Sequence, residues 1–247
     1  MLRPYERLSR LYDADWSDFA ERCLPWVLSV LERRGMASAR VLDLACGTGI
    51  LALGLADAGH TVLGLDISRE MIEIARRKAG SRTDVRFEVQ DMRVLDLQDI
   101  RLPEMETPFD AATCTFDSLN YLVAPGDVGK VFCAVADVLC AEGVFLFDVN
   151  TERMYTETAV DPVRRSIRGE WLIQRLDYDP ETRVARTIFE FEDGTTEIHP
   201  QRPYERHEIV HLLTEAGLRL THVQSGLEKN RFRRNAPRLV CVAVKAR

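Results

Sequence analysis

Two glycines, Gly47 and Gly49, follow a short apolar run with an acid inside it, Val41-Leu42-Asp43-Leu44, and precede a second apolar run of helical character. Glycine lets backbone pass close to a ligand, and the first turn of a helix offers free N–H groups. A strand that delivers a glycine turn to a helix start marks a nucleotide-type site. Gly47-Thr48-Gly49-Ile50-Leu51-Ala52 fits G-x-G-x-x-G/A, and Asp66 stands about 20 residues on, where a ribose-binding acid would sit. A nicotinamide-dependent dehydrogenase is therefore one reading. Three features oppose it. A carboxylate at Asp43 disfavours a pyrophosphate but suits an ammonium. Asp91, closing another strand, can take an adenine amino group, with Met92 beside the ring. The chain also ends in a helix and two strands, the second expected to insert antiparallel. Together these describe a site for a nucleoside joined to an amino acid.

The elements that must position these residues alternate regularly. Strands are expected over 41–44, 61–66, 85–90, 109–115 and 144–149. Helices are expected over 50–58, over 68–79 with Ser68 as N-cap, and over 127–140. Strands apolar along their whole length, interleaved with helices, imply a parallel sheet covered on both faces. Ligands of such sheets bind beyond the carboxyl ends of the strands. Before this core, aromatic and aliphatic residues at helical spacing (Tyr5, Leu8, Leu11, Tyr12, Trp16, Phe19) suggest a helical cover, followed by a helix over 19–34 that Gly35 stops. After Asn150 the alternation breaks. Residues 171–178 and 183–191 read as strands joined by Asp179-Pro180-Glu181-Thr182, with a third over 195–199. A helix over 205–216 and strands over 218–224 and 238–245 close the chain. The expected organisation is one domain over 1–247: a cover (1–36), a core (37–150 and 205–247) and a β-rich lid inserted over 151–204.

Composition narrows the classes. With 247 residues, 46% hydrophobic and 29% charged, the chain can bury a sizeable core. A net charge of −6 disfavours a broad nucleic-acid face. No apolar run approaches a membrane span, and residues 1–10 lack a signal-peptide core. The six cysteines form no C-x-x-C pair and lie mostly in apolar runs, so reduced, buried thiols in a cytoplasmic protein are expected, with no metal.

The segment VLDLACGTG (41–49) resembles the first motif of class I S-adenosylmethionine (SAM)-dependent methyltransferases. Gly64-Leu65-Asp66-Ile67-Ser68 with Met71 resembles their second, and Gln90-Asp91-Met92 their third. Residues 109–122 and 141–150 resemble the strand-four and strand-five blocks. The resemblance spans residues 5–150, and residues 117–122 with the β-rich insertion look most like bacterial small-molecule members related to sugar-nucleotide N-methyltransferases. It implies a Rossmann-like, doubly wound, seven-stranded, mostly parallel α/β sheet. It implies SAM as cofactor, with S-adenosylhomocysteine as product, and a small-molecule acceptor. Asp66 would take the ribose hydroxyls, and Ile67 would pack on the adenine with Met71 nearby. Asp91 and Met92 would hold the adenine edge. Gly47 and Gly49 would pass under the cofactor, the carbonyls of Leu44 and Ala45 would face its ammonium, and Asp43 would act on the same group. Thr115 and Phe116 would lie near the sulfonium, and Tyr12 would cover it.

Methyl transfer from a sulfonium is an in-line displacement that needs a base only for a protonated acceptor. Asp117, just past strand four, and His199, in the lid, are the candidate catalytic residues. Glu197, His207 and His211 are weaker candidates. Trp171, Tyr178, Phe189, Glu190 and Tyr204 are expected to shape the acceptor pocket. The cluster Lys229, Arg231, Arg233, Arg234 and Arg238 suggests an anionic acceptor. A SAM-binding protein of the same fold without methyl transfer is the alternative. The oligomeric state is not encoded in any of these signals.

Overall fold

The structure is a computed structural model that describes residues 2–95, 97, 108–157, 162–228 and 231–246. In chain order it comprises α1 (Ser9–Asp15), α2 (Ser17–Arg33), β1 (Arg40–Leu44), α3 (Ile50–Asp57), β2 (Thr61–Asp66), α4 (Arg69–Ala79), β3 (Val85–Val89), β4 (Phe109–Cys114), a 3-10 turn (Ser118–Tyr121), α5 (Asp127–Val138), β5 (Leu139–Asn150), α6 (Glu152–Glu157), β6 (Val163–Ile167), β7 (Glu170–Asp179), β8 (Val184–Phe191), β9 (Thr196–Gln201), α7 (Arg206–Glu215), β10 (Leu218–Gln224) and β11 (Arg238–Lys245).

Seven strands form one sheet in the order β10-β11-β5-β4-β1-β2-β3. β11 runs antiparallel to both β5 and β10, and the pairings among β5, β4, β1, β2 and β3 are parallel. Alternate residues of the central strands serve opposite faces. Leu42, Leu44, Leu63 and Leu65 pack with residues of α5 and α7, while Val41 and Val62 pack with residues of α2, α3 and α4. This two-sided burial is why these strands are apolar throughout. After β1 the chain builds β2 and β3 on one side, then crosses to build β4 and β5 on the other. The strand order therefore reverses between β1 and β4, the switch point at which such sheets open a crevice. Register sets Asp43 beside Thr113 and Gly64 at that point.

Local chemistry fixes the turns around the crevice. Gly49, at φ 80°, caps α3, and a Cβ there would lie 2.6 Å from the Phe87 ring. Gly47, at φ 55°, has open space where a Cβ would point. Ser68 caps α4 by accepting from the Met71 N–H at 3.2 Å, as its position before the helix predicts.

Three expectations need correction. The inserted sheet has four strands, in the order β6-β7-β8-β9, rather than three. Its extra edge strand, Val-Arg-Arg-Ser-Ile, is mostly exposed and lacks the apolar alternation that marks a half-buried strand. The second N-terminal helix begins at Ser17, after a break at Trp16, rather than at the expected residue 19. β5 begins at Leu139, so α5 ends before the expected residue 140.

Candidate active site

The carboxyl ends of β1, β2 and β4, together with the N-terminal segment, enclose a cavity of about 440 Å³. Ten of the residues nominated from sequence line it: Tyr12, Asp43, Ala45, Gly47, Asp66, Ile67, Met71, Met92, Thr115 and Phe116. Three do not. Leu44, nominated for its carbonyl, packs its side chain into the core. Gly49 lies behind the wall against Phe87. The Asp91 carboxylate is held by the Arg93 guanidinium, at 2.5 Å from Nη2. Cys46 also lines the cavity, but burial pushes its thiol well above the ordinary range, so it is no thiolate nucleophile.

Two acids, Asp43 buried and Asp66 half-buried, set the electrostatics. Asp43 Oδ1 accepts from the Thr113 hydroxyl at 2.6 Å, while Oδ2 finds no hydrogen-bond partner among the described residues. Burial, partly opposed by that hydroxyl, pushes its carboxyl up to about 7. The Asp66 carboxylate accepts from the Gly47 N–H at 2.9 Å and the Ser68 N–H at 2.8 Å. Burial raises it too, and these N–H groups work against the rise. Ile67, 67% exposed, offers an apolar face beside the two acids.

A second cavity of about 220 Å³ lies between this crevice and the inserted sheet. Tyr5, Tyr12, Phe116 and Tyr121 line both cavities and form their common wall. Asp117 and His199, the two nominated catalytic residues, line the second. Both Asp117 oxygens are engaged: Oδ1 accepts from Arg238 Nη2 at 2.7 Å and Oδ2 from Gln201 Nε2 at 2.5 Å. Arg238 also donates to Asp148. Asp148 in turn accepts from the N–H groups of Phe116 (2.6 Å) and Asp117 (3.0 Å), the two residues that leave β4 with positive φ. His199 is buried, with Nδ1 at 3.0 Å from the Tyr121 hydroxyl and Nε2 at 3.1 Å from Glu197. Among the described residues, seven non-glycines have positive φ. Tyr5, Ala45, Phe116 and Asp117 are four of them, and all four line the cavities, so backbone strain concentrates there.

Sequence reasoning placed Tyr5 in the cover but missed Tyr121 as its partner in the wall, and Asp148 and Gln201 as partners of the wall. The motif run over 109–122 and 141–150 contains Tyr121 and Asp148, but nothing local says what they touch. Of the expected pocket-shaping residues, Phe189 lines the second cavity. The other four do not: Trp171 lies under Arg164, Tyr178 donates to Glu152, Glu190 pairs with Arg175 and Tyr204 is buried in the core. His211 faces Glu215 on the exposed side of α7. Arg238 is drawn inward from the basic cluster, and Lys229 lies outside the described residues. No group of three or more metal-ligating side chains occurs among the described residues, nor any helix long and apolar enough to cross a membrane.

Comparison with known proteins bears on the family and the fold. Residues 41–143 match the family described as Methyltransferase domain. The protein named "Putative methyltransferase YqeM" of Bacillus subtilis (strain 168) is 31% identical over 228 residues, covering 89% of this chain and 88% of that one. A solved S-adenosylmethionine-dependent methyltransferase from Clostridium acetobutylicum superposes with a TM-score of 0.80 at 22% identity, over 98% of this chain and 99% of that one. SAM-bound CalS10, an amino pentose methyltransferase from Micromonospora echinaspora, superposes at 0.69 with 23% identity, over 100% and 98% of the two chains.

Proposed function

This chain belongs to the SAM-dependent methyltransferase family, and from that premise we propose that it moves a methyl group by in-line displacement to a small-molecule acceptor held in the second cavity. One observation carries the reading. A chamber of about 220 Å³, of small-molecule dimensions, adjoins the larger cavity across a wall of four aromatic side chains. The amino pentose acceptor named for one structural neighbour is of a size with such a chamber.

The larger cavity suits SAM. The buried, unpartnered Asp43 Oδ2 needs a cation or donors. Asp66 also lines the cavity, and Glu70 is offset there by Arg3, so the balance is acidic; it favours a cation and disfavours a pyrophosphate, which speaks against the nicotinamide reading. Asp43 is assigned to the ammonium, Asp66 to the ribose hydroxyls, and Ile67, Met71 and Met92 to the adenine faces. Gly47 provides open backbone beneath the ligand, and the Ala45 carbonyl supports the ammonium. When bound, SAM supplies an activated methyl group on a sulfonium. Thr115 and Phe116 stand where β4 meets the wall and align the acceptor, while Tyr12 and the other aromatics exclude water. Asp117, both oxygens already accepting, holds its loop and the charge of Arg238. The expectation of an anionic acceptor leaned on a cluster containing Arg238, and that guanidinium now faces two carboxylates. An acceptor bearing N–H or O–H groups suits this chamber better.

The test is incubation with methyl-labelled SAM and a panel of amino sugars, aliphatic amines, phenols and carboxylates, followed by S-adenosylhomocysteine release. Labelled product from a small amine or hydroxyl compound is expected. SAM binding by calorimetry without release, from the panel or from a metabolite extract, would refute the transfer reading.

A further inference from the structure

Resting on that reading, we propose that Tyr5, Tyr121, His199 and Glu197 form a proton relay that carries the surplus proton of the acceptor atom away from the methyl-transfer point and leaves it on His199. The four groups form one continuous chain. The Tyr5 and Tyr121 hydroxyls are 2.6 Å apart, Tyr121 is 3.0 Å from His199 Nδ1, and His199 Nε2 is 3.1 Å from Glu197 Oε2. Its inner end is buried in the inserted sheet, and its outer end is in the wall shared by the two cavities.

Glu197 sets the direction of the chain. Its carboxylate is fully buried and already accepts three backbone N–H bonds, from Tyr5 (3.0 Å), Arg7 (2.5 Å) and Leu8 (2.9 Å). A carboxylate only accepts, so the bond to His199 requires hydrogen on Nε2 and leaves Nδ1 bare. Nδ1 then accepts from Tyr121, Tyr121 accepts from Tyr5, and the Tyr5 oxygen keeps lone pairs toward the cavities. Burial pushes both phenols well above their ordinary range, so they hand protons on rather than ionise. The positive φ of Tyr5, held by Glu197 accepting its N–H, places backbone strain at the entrance of the chain.

The step balances. The acceptor atom forms its bond to the methyl carbon with its own electron pair, and the methyl–sulfur bond breaks with its pair left on sulfur. The acceptor's proton passes to Tyr5 Oη, that of Tyr5 to Tyr121 Oη, and that of Tyr121 to His199 Nδ1. The positive charge lost at sulfur reappears as imidazolium beside Glu197. Tyr5 and Tyr121 are the groups placed to touch the acceptor. His199 acts through them as the terminal base, and Glu197 is a positioning residue.

The groups facing His199 are Glu197 on its own strand, Tyr121 from the 3-10 turn, and the Tyr5 ring at 4.7 Å from the N-terminal segment. The uncharged Phe189 faces it from β8 at 5.0 Å. Tyr12, Tyr155 and the mutually paired Asp117 and Arg238 share its cavity.

Two measurements test the relay. Imidazole 15N spectra, with His199 assigned by its loss in His199→Gln, need no acceptor. The relay requires Nε2 protonated and Nδ1 bare in the neutral ring, and Tyr121→Phe must perturb the Nδ1 signal. A proton on Nδ1 would reverse the chain and overturn the proposal. With the panel compound that supports turnover, the acidic limb of the kcat/KM profile that is not the acceptor's own ionisation should vanish in both His199→Gln and Tyr121→Phe. Turnover at the optimum should fall about 100-fold, with the SAM dissociation constant held within about twofold. Full turnover with the limb retained in Tyr121→Phe would refute the path even if His199→Gln fails to fold. Absence of turnover in the wild type would strike the transfer reading, while the spectrum still decides the polarity of the chain.

Discussion

Asp43 shows how one buried atom decides what a cavity accepts. Its carboxyl titrates at about 7 because burial outweighs the single Thr113 hydroxyl that stabilises the charged form. In the unfolded chain the same group releases its proton near pH 4. Between about pH 4 and about pH 7 the folded, ligand-free protein therefore holds a proton that the unfolded chain has lost, and stability from this group falls as pH rises through that window. Asp66 and Asp148, also raised by burial, slope the same way, so the comparison that isolates Asp43 is with Asp43→Asn. Its urea midpoint should decline less than the wild type's from acid to neutral pH. A cation beside the carboxylate favours the ionised form, so SAM binding at about pH 6 should expel up to one proton per site in the wild type. Calorimetry in buffers of different ionisation enthalpy reads that number directly. Equal release by Asp43→Asn would place the ammonium elsewhere.

At the scale of elements, the site is held by a contact between β11, β5 and the turn after β4. Arg238, 13% exposed at its side chain, bridges Asp117 and Asp148, and its guanidinium lies 4.4 Å from the centre of the Phe19 ring. Removing one member of such a buried set costs about 3–5 kcal/mol because the remaining charges lose their partner. Arg238→Met should lower the unfolding free energy in urea by that order, and adding Asp117→Asn and Asp148→Asn should restore part of the loss. Nothing in the sequence announced this contact: Arg238 read as one of a basic cluster suited to an anionic acceptor, and Asp117 as a candidate base. What the sequence did announce was local. The strands over 61–66, 218–224 and 238–245, the Ser68 cap and the glycine turn each follow from a few consecutive residues, and the structure keeps them. The wall at the cavities depends instead on pairs such as Tyr5 with Tyr121 and Asp117 with Arg238, 116 and 121 residues apart. The sheet order, with β11 beside β5, brings the second pair together, and the seating of the N-terminal segment on the inserted sheet brings the first. β6 was missed for a related reason, since an exposed edge strand carries no burial pattern to read.

Across the whole molecule, residues 2–16 join the seven-stranded core to the inserted sheet. On the core side, Arg3 pairs with Glu70 at 3.2 Å, and Asp13 accepts from Thr48 and Lys78, each at 2.5 Å. On the sheet side, Asp15 pairs with Arg165 at 2.7 Å, and Leu8 and Leu11 share an apolar cluster with Leu172, Phe189 and Phe191. Glu197 takes the N–H groups of Tyr5, Arg7 and Leu8. These attachments are unequal. The Arg3 side chain is 76% exposed, so its ion pair contributes little and is screened by salt. Glu197 is buried, and hydrogen bonds to a charged group hold about 1.5–3 kcal/mol each. The cover over both cavities should therefore hang mainly on the sheet. In amide hydrogen exchange, 1 M NaCl should leave the protection of Tyr5, Arg7 and Leu8 nearly unchanged. Glu197→Gln keeps one acceptor oxygen but loses the charge, and should speed exchange at those amides by at least about tenfold, the kinetic equivalent of roughly 1.4 kcal/mol. The reverse pattern, salt-labile and indifferent to Glu197, would mean that the surface ion pairs hold the cover.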